Sequence, residues 1–264
     1  MKLGVIGLGN MATAMIGGIV KAGVFAPSDI TGSDASASQR DKAEDTLKIG
    51  TCAGNEEVVK GCDYLILAVK PQVYETVLTQ ISKDIKKDQV VISIAPGKTL
   101  EYLEGKLGKG TKIVRLMPNT PALVGEGCTG VCRNESVTED EFALVMKMPK
   151  GFGKAFEVKE SQMDAVVAVS GSSPAYVFML IDAMADGAVA EGLDRATAIK
   201  MAAQAVLGSA KMVIETGKHP AELKDMVCSP AGTTIDAVAV LEEAGFRGSV
   251  IDAMSACAEK SRKI

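Results

Sequence analysis

Gly7-Leu8-Gly9-Asn10-Met11-Ala12 sets a G-x-G-x-x-A string between a short apolar run and a helical pattern of small residues. Those residue types suit one ligand chemistry. Gly7 permits a tight turn, Gly9 lets the backbone approach a pyrophosphate, and Ala12 is small enough for close helix–strand packing. The phosphates would rest on unpaired amides at the positive end of the helix. Alone the string is a weak signal, but at the head of an alternating βα region it reads as a dinucleotide-binding turn. An acid about 20 residues further on ordinarily holds the ribose. Asp34 lies 34 − 12 = 22 positions after Ala12. Its carboxylate suits NAD and would repel a 2′-phosphate, whereas Ser33, Ser36 and Arg40 would line a phosphate pocket. A third reading makes Asp34 a loop acid or the cap of the next helix.

Other chemistry is restricted by what the chain lacks. With one histidine, His219, a multi-His metal site cannot be built, and a Ser/His/Asp relay has a single place to use. His219 precedes Pro220 in a Gly-Lys-His-Pro stretch and is expected to be a solvated turn residue. The six cysteines (52, 62, 128, 132, 228, 257) form no C-x-x-C pair and read as free, buried or half-buried thiols, expected in a reducing cytosol. The given sequence runs from Met1-Lys2 directly into a strand-like run, so no secretory signal is expected. Lysine plus arginine against aspartate plus glutamate gives 29 − 33 = −4, and aromatic residues are 4% with no Trp. That balance disfavours both phosphate-backbone binding and base stacking, so no nucleic-acid partner is expected. The apolar run Pro174–Ala190 has the look of a membrane span, but Asp182 and Asp186 would each cost about 2.5–3.5 kcal/mol at a bilayer centre. A helix buried in a soluble protein is the expectation, with no membrane partner.

The elements that must position these residues alternate. Strands are expected at Lys2–Gly7, Asp29–Ser33, Tyr64–Val69, Val90–Ile94, Lys112–Met117 and Gly151–Val158. Helices fall between them at Asn10–Ala22, Ala37–Leu47, Pro71–Ile81 and Leu100–Lys106. This order implies an α/β Rossmann-type domain, a parallel sheet covered on both faces. Past residue 158 the pattern is all helical, with helices at Gln162–Val169, Pro174–Glu191, Arg195–Glu215, Pro220–Val227, Thr233–Glu243 and Gly248–Lys260. The expected domains are therefore 1–158 and 159–264. The second and third helices of the latter are apolar on nearly every side and must be enclosed, so a second copy of the chain is expected against them.

Further strings carry a resemblance. They are Ala68-Val69-Lys70-Pro71-Gln72, Arg115-Leu116-Met117-Pro118-Asn119-Thr120-Pro121 and Gly171-Ser172-Ser173-Pro174-Ala175-Tyr176. The run Leu223–Ile235 contains the most specific of them, Ser229-Pro230-Ala231-Gly232-Thr233-Thr234. Together, nearly end to end, they resemble the pyrroline-5-carboxylate reductase family, which makes the last step of proline synthesis. The chain departs from it where Ser173 replaces a glycine. A glycine needed there for positive φ would leave Ser173 strained, while one needed only for room would not.

The resemblance implies a Rossmann-like domain followed by a helical dimerisation domain, an interlocked homodimer that the family also assembles into decamers of five dimers, and an active site at the dimer interface. It implies NADPH or NADH as cofactor, NADP being usual in the family. Cofactor contacts carried over are Gly7, Gly9, Asn10, Met11, Ala12, Asn55, Ala68, Val69, Lys70 and Pro71, with Ala95 and Asn119 beside the nicotinamide. Ser33 and Asp34 complete this set at the ribose. Ser229, Gly232, Thr233 and Thr234 would surround the substrate, 1-pyrroline-5-carboxylate.

Reducing a cyclic imine needs a hydride donor, an anchored substrate and a proton on nitrogen. The nicotinamide brings the hydride, so the protein positions and desolvates. An imine nitrogen is basic enough to take its proton from solvent, which suits a chain with one histidine. Thr234, Ser229 and Lys70 are the candidate catalytic residues. Thr234 would orient the ring nitrogen, and the Ser229–Thr234 hydroxyls and amides, at a helix start, would hold the carboxylate. Lys70, at a strand's carboxyl edge, reads better as an electrostatic neighbour of the cofactor than as an acid. Two rivals remain: a β-hydroxyacid dehydrogenase, for which Lys200 would be the acid/base but the required glycine-rich lead-in is missing, and a non-catalytic dinucleotide sensor.

Overall fold

The computed structural model describes Met1–Lys263. Strands and helices alternate through β1 (Leu3–Ile6), α1 (Asn10–Lys21), β2 (Ile30–Ser33), α2 (Ala37–Leu47), β3 (Gly50–Cys52), α3 (Asn55–Gly61), β4 (Tyr64–Leu67) and α4 (Tyr74–Ile81). They continue through β5 (Val90–Ser93), α5 (Leu100–Leu107), β6 (Lys112–Met117), β7 (Gly127–Arg133), α6 (Glu139–Val145), α7 (Lys147–Lys150) and β8 (Gly153–Glu157). Among the described residues these strands form an eight-stranded sheet in the order β3-β2-β1-β4-β5-β6-β7-β8. β1 to β6 run parallel in register, with Leu3 opposite both Ile30 and Tyr64, and Leu67 opposite Ser93. β7 turns back antiparallel to β6, and β8 follows β7.

Strand periodicity divides the core. Leu3, Val5, Ile66, Ile92 and Val114 point into one apolar cluster with α1, and Ile6, Leu65, Leu67, Val91 and Ile113 point into another. Side chains alternate across a strand, so adjacent residues fall on opposite faces and the sheet is covered on both. The expected parallel α/β sheet is present. It also contains elements the sequence pattern did not suggest: β3 with α3, and the β7–α6–α7 return.

Beyond β8, α8 (Met163–Val166) runs into a π-helical turn at Val167–Gly171. There follow α9 (Ser173–Ala190), α10 (Arg195–Thr216), α11 (Pro220–Val227), α12 (Thr233–Glu243) and α13 (Phe246–Ser261). The described residues form two compact units, one of Met1–Ser172 with residues 257–263, the other Ser173–Ala256. The run 160–172 packs with the sheet: Val166 and Val167 lie against Met117, Cys132 and Met163. The end of α13 is tied to the same unit by Ser261, whose hydroxyl donates to Asp164 Oδ1 at 2.6 Å.

In the second unit α9 and α10 pack on each other, yet the side chains they bury are alanines, Ala185, Ala198 and Ala202. Phe178, Met179, Leu207 and Ile214 are exposed, Ile214 by 76%. The enclosure expected of these helices is therefore absent among the described residues of one chain. The run Glu160–Ala190 is long and apolar enough to cross a membrane by length and composition, but Asp186 is engaged with Arg195 at 2.6 Å.

Candidate active site

The carboxyl edge of the parallel strands carries the glycine turn. Gly7 sits at φ +94°, and its amide donates to Ser33 O at 2.8 Å, binding the ends of β1 and β2. A Cβ on Gly7 would stand 2.8 Å from Ala68 O, so glycine is needed both for conformation and for room. Gly9, the N-cap of α1, has ordinary φ of −72°, and a Cβ there would meet nothing within 4 Å. Its protein neighbours leave that space open, which is the room a diphosphate needs in front of a helix N-terminus. Ala12 is buried on α1, as close packing requires.

Asp34 works within this turn. Its Oδ2 accepts from the Leu8 amide at 2.9 Å and its Oδ1 from the Ser36 amide at 2.8 Å. Arg40 Nη1 donates to the Asp34 carbonyl at 2.7 Å. The cap of α2 is Ser36 rather than Asp34, so the capping reading is corrected: Asp34 sits two residues earlier and braces the glycine turn. Beside it Ser33 Oγ donates to Asn55 Oδ1 at 2.8 Å, and Asn55 Nδ2 donates to Gln80 Oε1 at 2.9 Å.

Two adjoining cavities follow this edge. One, of about 520 Å³, is lined by Gly7, Ser33, Asp34, Ser36, Gln39 and Asn55 among others. The next, of about 440 Å³, is lined by Asn10, Met11, Pro71, Ala95, Pro118 and Ser172 among others. Gly9, Ala68, Val69 and Lys70 belong to both. A cleft of two compartments joined at a glycine suits a dinucleotide, with the diphosphate at the waist and a base or ring at each end. Lys70 is exposed and extended (φ −63°, ψ 147°) before Pro71, the conformation a residue ahead of proline adopts.

Asn119 is buried, and its amide is committed to backbone: Oδ1 accepts from Cys128 N at 2.8 Å and Nδ2 donates to Ser170 O at 2.9 Å. It thereby joins the start of β7 to the π-helical turn, whose Val167 and Gly171 line the second cavity. π-Helical turns are frequent at functional sites, and neither composition nor periodicity marked this one.

In the second unit, Ser229–Thr234 forms the entry to α12. Gly232 is the N-cap, and its amide donates back to Ser229 O at 3.1 Å. A Cβ on Gly232 would lie 2.3 Å from Ser229 Oγ, so the Ser229 hydroxyl is held directly against the backbone. Ala231 adopts φ +55°, a left-handed conformation an alanine rarely takes. Ser173, by contrast, opens α9 without positive φ, so the glycine it replaces is not needed there for conformation. Ala231→Gly should raise stability by about 0.5–1 kcal/mol, the left-handed cost outweighing the glycine's added freedom in the unfolded chain. A thermal melt that shifts upward bears this out; a downward shift would show that the Ala231 methyl does more than tolerate its backbone.

His219 caps α11, its Nδ1 accepting from the Ala221 amide at 3.2 Å, and is exposed as expected. All the cysteines are free, and burial pushes the Cys62 and Cys132 thiols up to about 11.

A Rossmann-type sheet with a glycine turn and a two-compartment cleft at its carboxyl edge defines the dinucleotide-binding class of α/β proteins. Residues 2–97 match the family described as NADP oxidoreductase, coenzyme F420-dependent, and residues 160–264 match Pyrroline-5-carboxylate reductase dimerisation. The chain is 50% identical over 263 residues to the pyrroline-5-carboxylate reductase of Escherichia coli, covering 100% of this chain and 98% of that protein. It is 44% identical to that of Methanosarcina acetivorans, covering 100% and 97%. Among solved structures, the Plasmodium falciparum pyrroline carboxylate reductase with NADP bound superposes with TM-score 0.91 at 33% identity, covering 100% and 97%. A Coxiella burnetii pyrroline-5-carboxylate reductase gives 0.92 at 34%, covering 99% and 97%. The chain belongs to the pyrroline-5-carboxylate reductase family. It is an NAD(P)H-dependent oxidoreductase, and its dimerisation domain makes it self-associating.

Proposed function

We propose that this chain reduces the C=N bond of 1-pyrroline-5-carboxylate to give L-proline, with NADPH as the preferred cofactor. The observation that carries this is the two-compartment cleft at the glycine turn in a chain whose likeness to these reductases is end to end. A reduced nicotinamide, when bound, supplies the hydride. The chain's own residues do the rest. The α1 N-terminus with Gly9 and Asn10 holds the diphosphate, and Ala68–Pro71, Ala95 and Pro118 wall the nicotinamide compartment against water. Lys70 contributes positive charge at the cofactor's edge. The Ser229–Thr234 turn, supplied by the partner copy of an interlocked dimer, takes the substrate carboxylate on its amides and hydroxyls, and Thr234 Oγ1 accepts from the protonated ring nitrogen. The iminium forms in solvent, so no side-chain acid is required. The exposed apolar side chains of α9 and α10 supply the dimer contact, which removes the reason to place them in a bilayer, and dimers assemble further into a decamer. Free thiols and the absence of nucleic-acid features support a cytoplasmic enzyme acting on a small molecule.

The NADPH preference rests on Asp34. Its oxygens accept from the Leu8 and Ser36 amides, which engages the carboxylate in the turn and partly offsets the charge that would repel a 2′-phosphate, while the Ser36 hydroxyl, Gln39 and the remaining N–H groups of Arg40 stand beside it as donors for that phosphate. Steady-state rates with 1-pyrroline-5-carboxylate and each nucleotide test both readings. Arg40→Ala should raise KM for NADPH about tenfold, the worth of one charge-assisted bond, and leave KM for NADH nearly unchanged. Equal changes for the two nucleotides would overturn the preference. Tight nucleotide binding with no imine reduction by the unaltered protein would overturn the activity and favour a sensor.

A further inference from the structure

We propose that the buried Tyr74–Ser93 hydrogen bond latches together two loops of the nicotinamide compartment and makes both residues positioning residues for hydride transfer. The inference rests on the assignment of that compartment above. Tyr74 is the first residue of α4, directly after the Ala68–Val73 stretch, and Ser93 is the last residue of β5, directly before Ile94–Pro96. Both flanking stretches line the second cavity, at Ala68, Val69, Lys70 and Pro71 on one side and Ile94, Ala95 and Pro96 on the other.

The two loops leave neighbouring strands at one level. Leu67 lies opposite Ser93 in the β4–β5 ladder, and the last backbone bond between them runs from Ile94 N to Leu67 O at 3.3 Å. Beyond that bond the sheet no longer holds the loops to each other. The side-chain link takes over there: Tyr74 Oη donates to Ser93 Oγ at 2.6 Å, and Ser93 Oγ lies 3.4 Å from the Ala95 amide. Tyr74 is 1% exposed and Ser93 equally buried.

A phenylalanine would fill the same space, so the hydroxyl is not there for packing. A buried phenol without a partner is costly, and with one it fixes geometry in a low-dielectric setting. Burial also pushes the Tyr74 phenol well above its usual range, so it holds its proton and acts by position alone. Neither hydroxyl lines the cavities, which separates this role from that of a catalytic residue. A misplacement of about 1 Å at the reacting centre can cost about 100-fold in rate, so a loop spacing set from behind is enough to matter.

Tyr74→Phe, Ser93→Ala, the double variant and Ser93→Thr would be compared by melting, NADP⁺ binding and single-turnover nucleotide oxidation with 1-pyrroline-5-carboxylate. The latch predicts a fall of about tenfold in the hydride-transfer rate for either single variant, no further fall in the double, and recovery with Ser93→Thr. NADP⁺ affinity should change little, because the adenosine and diphosphate ends are held elsewhere. Unchanged transfer rates in correctly folded single variants, or losses that multiply in the double, would overturn it. Failure of the unaltered protein to reduce the imine would instead defeat the functional assignment on which the latch rests.

Discussion

Gly9→Ala is expected to fold and melt like the parent chain while binding NADPH about 100-fold more weakly, a loss of about 2.7 kcal/mol. The two halves of that expectation have separate causes. A methyl at Gly9 meets no protein atom within 4 Å, and its φ of −72° is open to alanine, so the folded chain has little to resist. Glycine is a somewhat better helix cap than alanine, which accounts for at most about 1 kcal/mol of stability. The ligand has no such latitude. A diphosphate drawn onto the first amides of α1 must approach the backbone at Gly9, and the methyl would occupy that approach. Titration of nucleotide against protein fluorescence or by calorimetry reads the affinity, and a melt reads the fold. Retained affinity would mean that the diphosphate does not sit on this turn. Gly7→Ala makes the contrast. There the methyl would meet Ala68 O at 2.8 Å and the backbone is left-handed, so stability and binding should fall together.

The glycine turn was legible because its meaning is local. Turn, helix start and small packing residue follow within a few positions, and periodicity supplies the flanking strand and helix. The outer part of the sheet was not legible in the same way. β3 is Gly50-Thr51-Cys52, half-exposed and without an apolar rhythm, and β7 contains Gly127 and Gly130, whose missing side chains erase the period-two signal. Asp34 shows a different limit. Its spacing puts it near the glycine turn, and it lines the cavity there, but which atoms its oxygens accept from depends on how β1 and β2 lie side by side. Asn119 was marked by motif, while its bonds to Cys128 and Ser170 join positions 51 apart and 9 apart in sequence. Tyr74 and Ser93 carried no signal at all, since only the β4–β5 register brings them together. Ala231 hid for the opposite reason: a left-handed turn position announces itself when glycine occupies it, and here alanine does.

The apolar faces of α9 and α10 were read from composition, and in the single chain they lie open. That exposure gives the subunit arrangement a test more demanding than a measurement of mass. If the Ser229–Thr234 turn of one copy completes the nicotinamide cleft of the other, defects placed in separate chains will sort into separate sites. Co-expressing a Gly9→Ala chain with a Ser229→Ala/Thr234→Ala chain should then restore activity that neither shows alone. Random pairing makes half of the dimers mixed, and one of the two sites in each mixed dimer carries no defect, so about a quarter of the unaltered activity returns. A turn that served the cleft of its own chain would give a different result. Every site in a mixed dimer would keep one defect, and co-expression would yield no more than the average of the two altered enzymes. Measured at nucleotide concentrations well below the weakened Kd, where the Gly9→Ala sites are nearly silent, the two arrangements differ by more than an order of magnitude in rate.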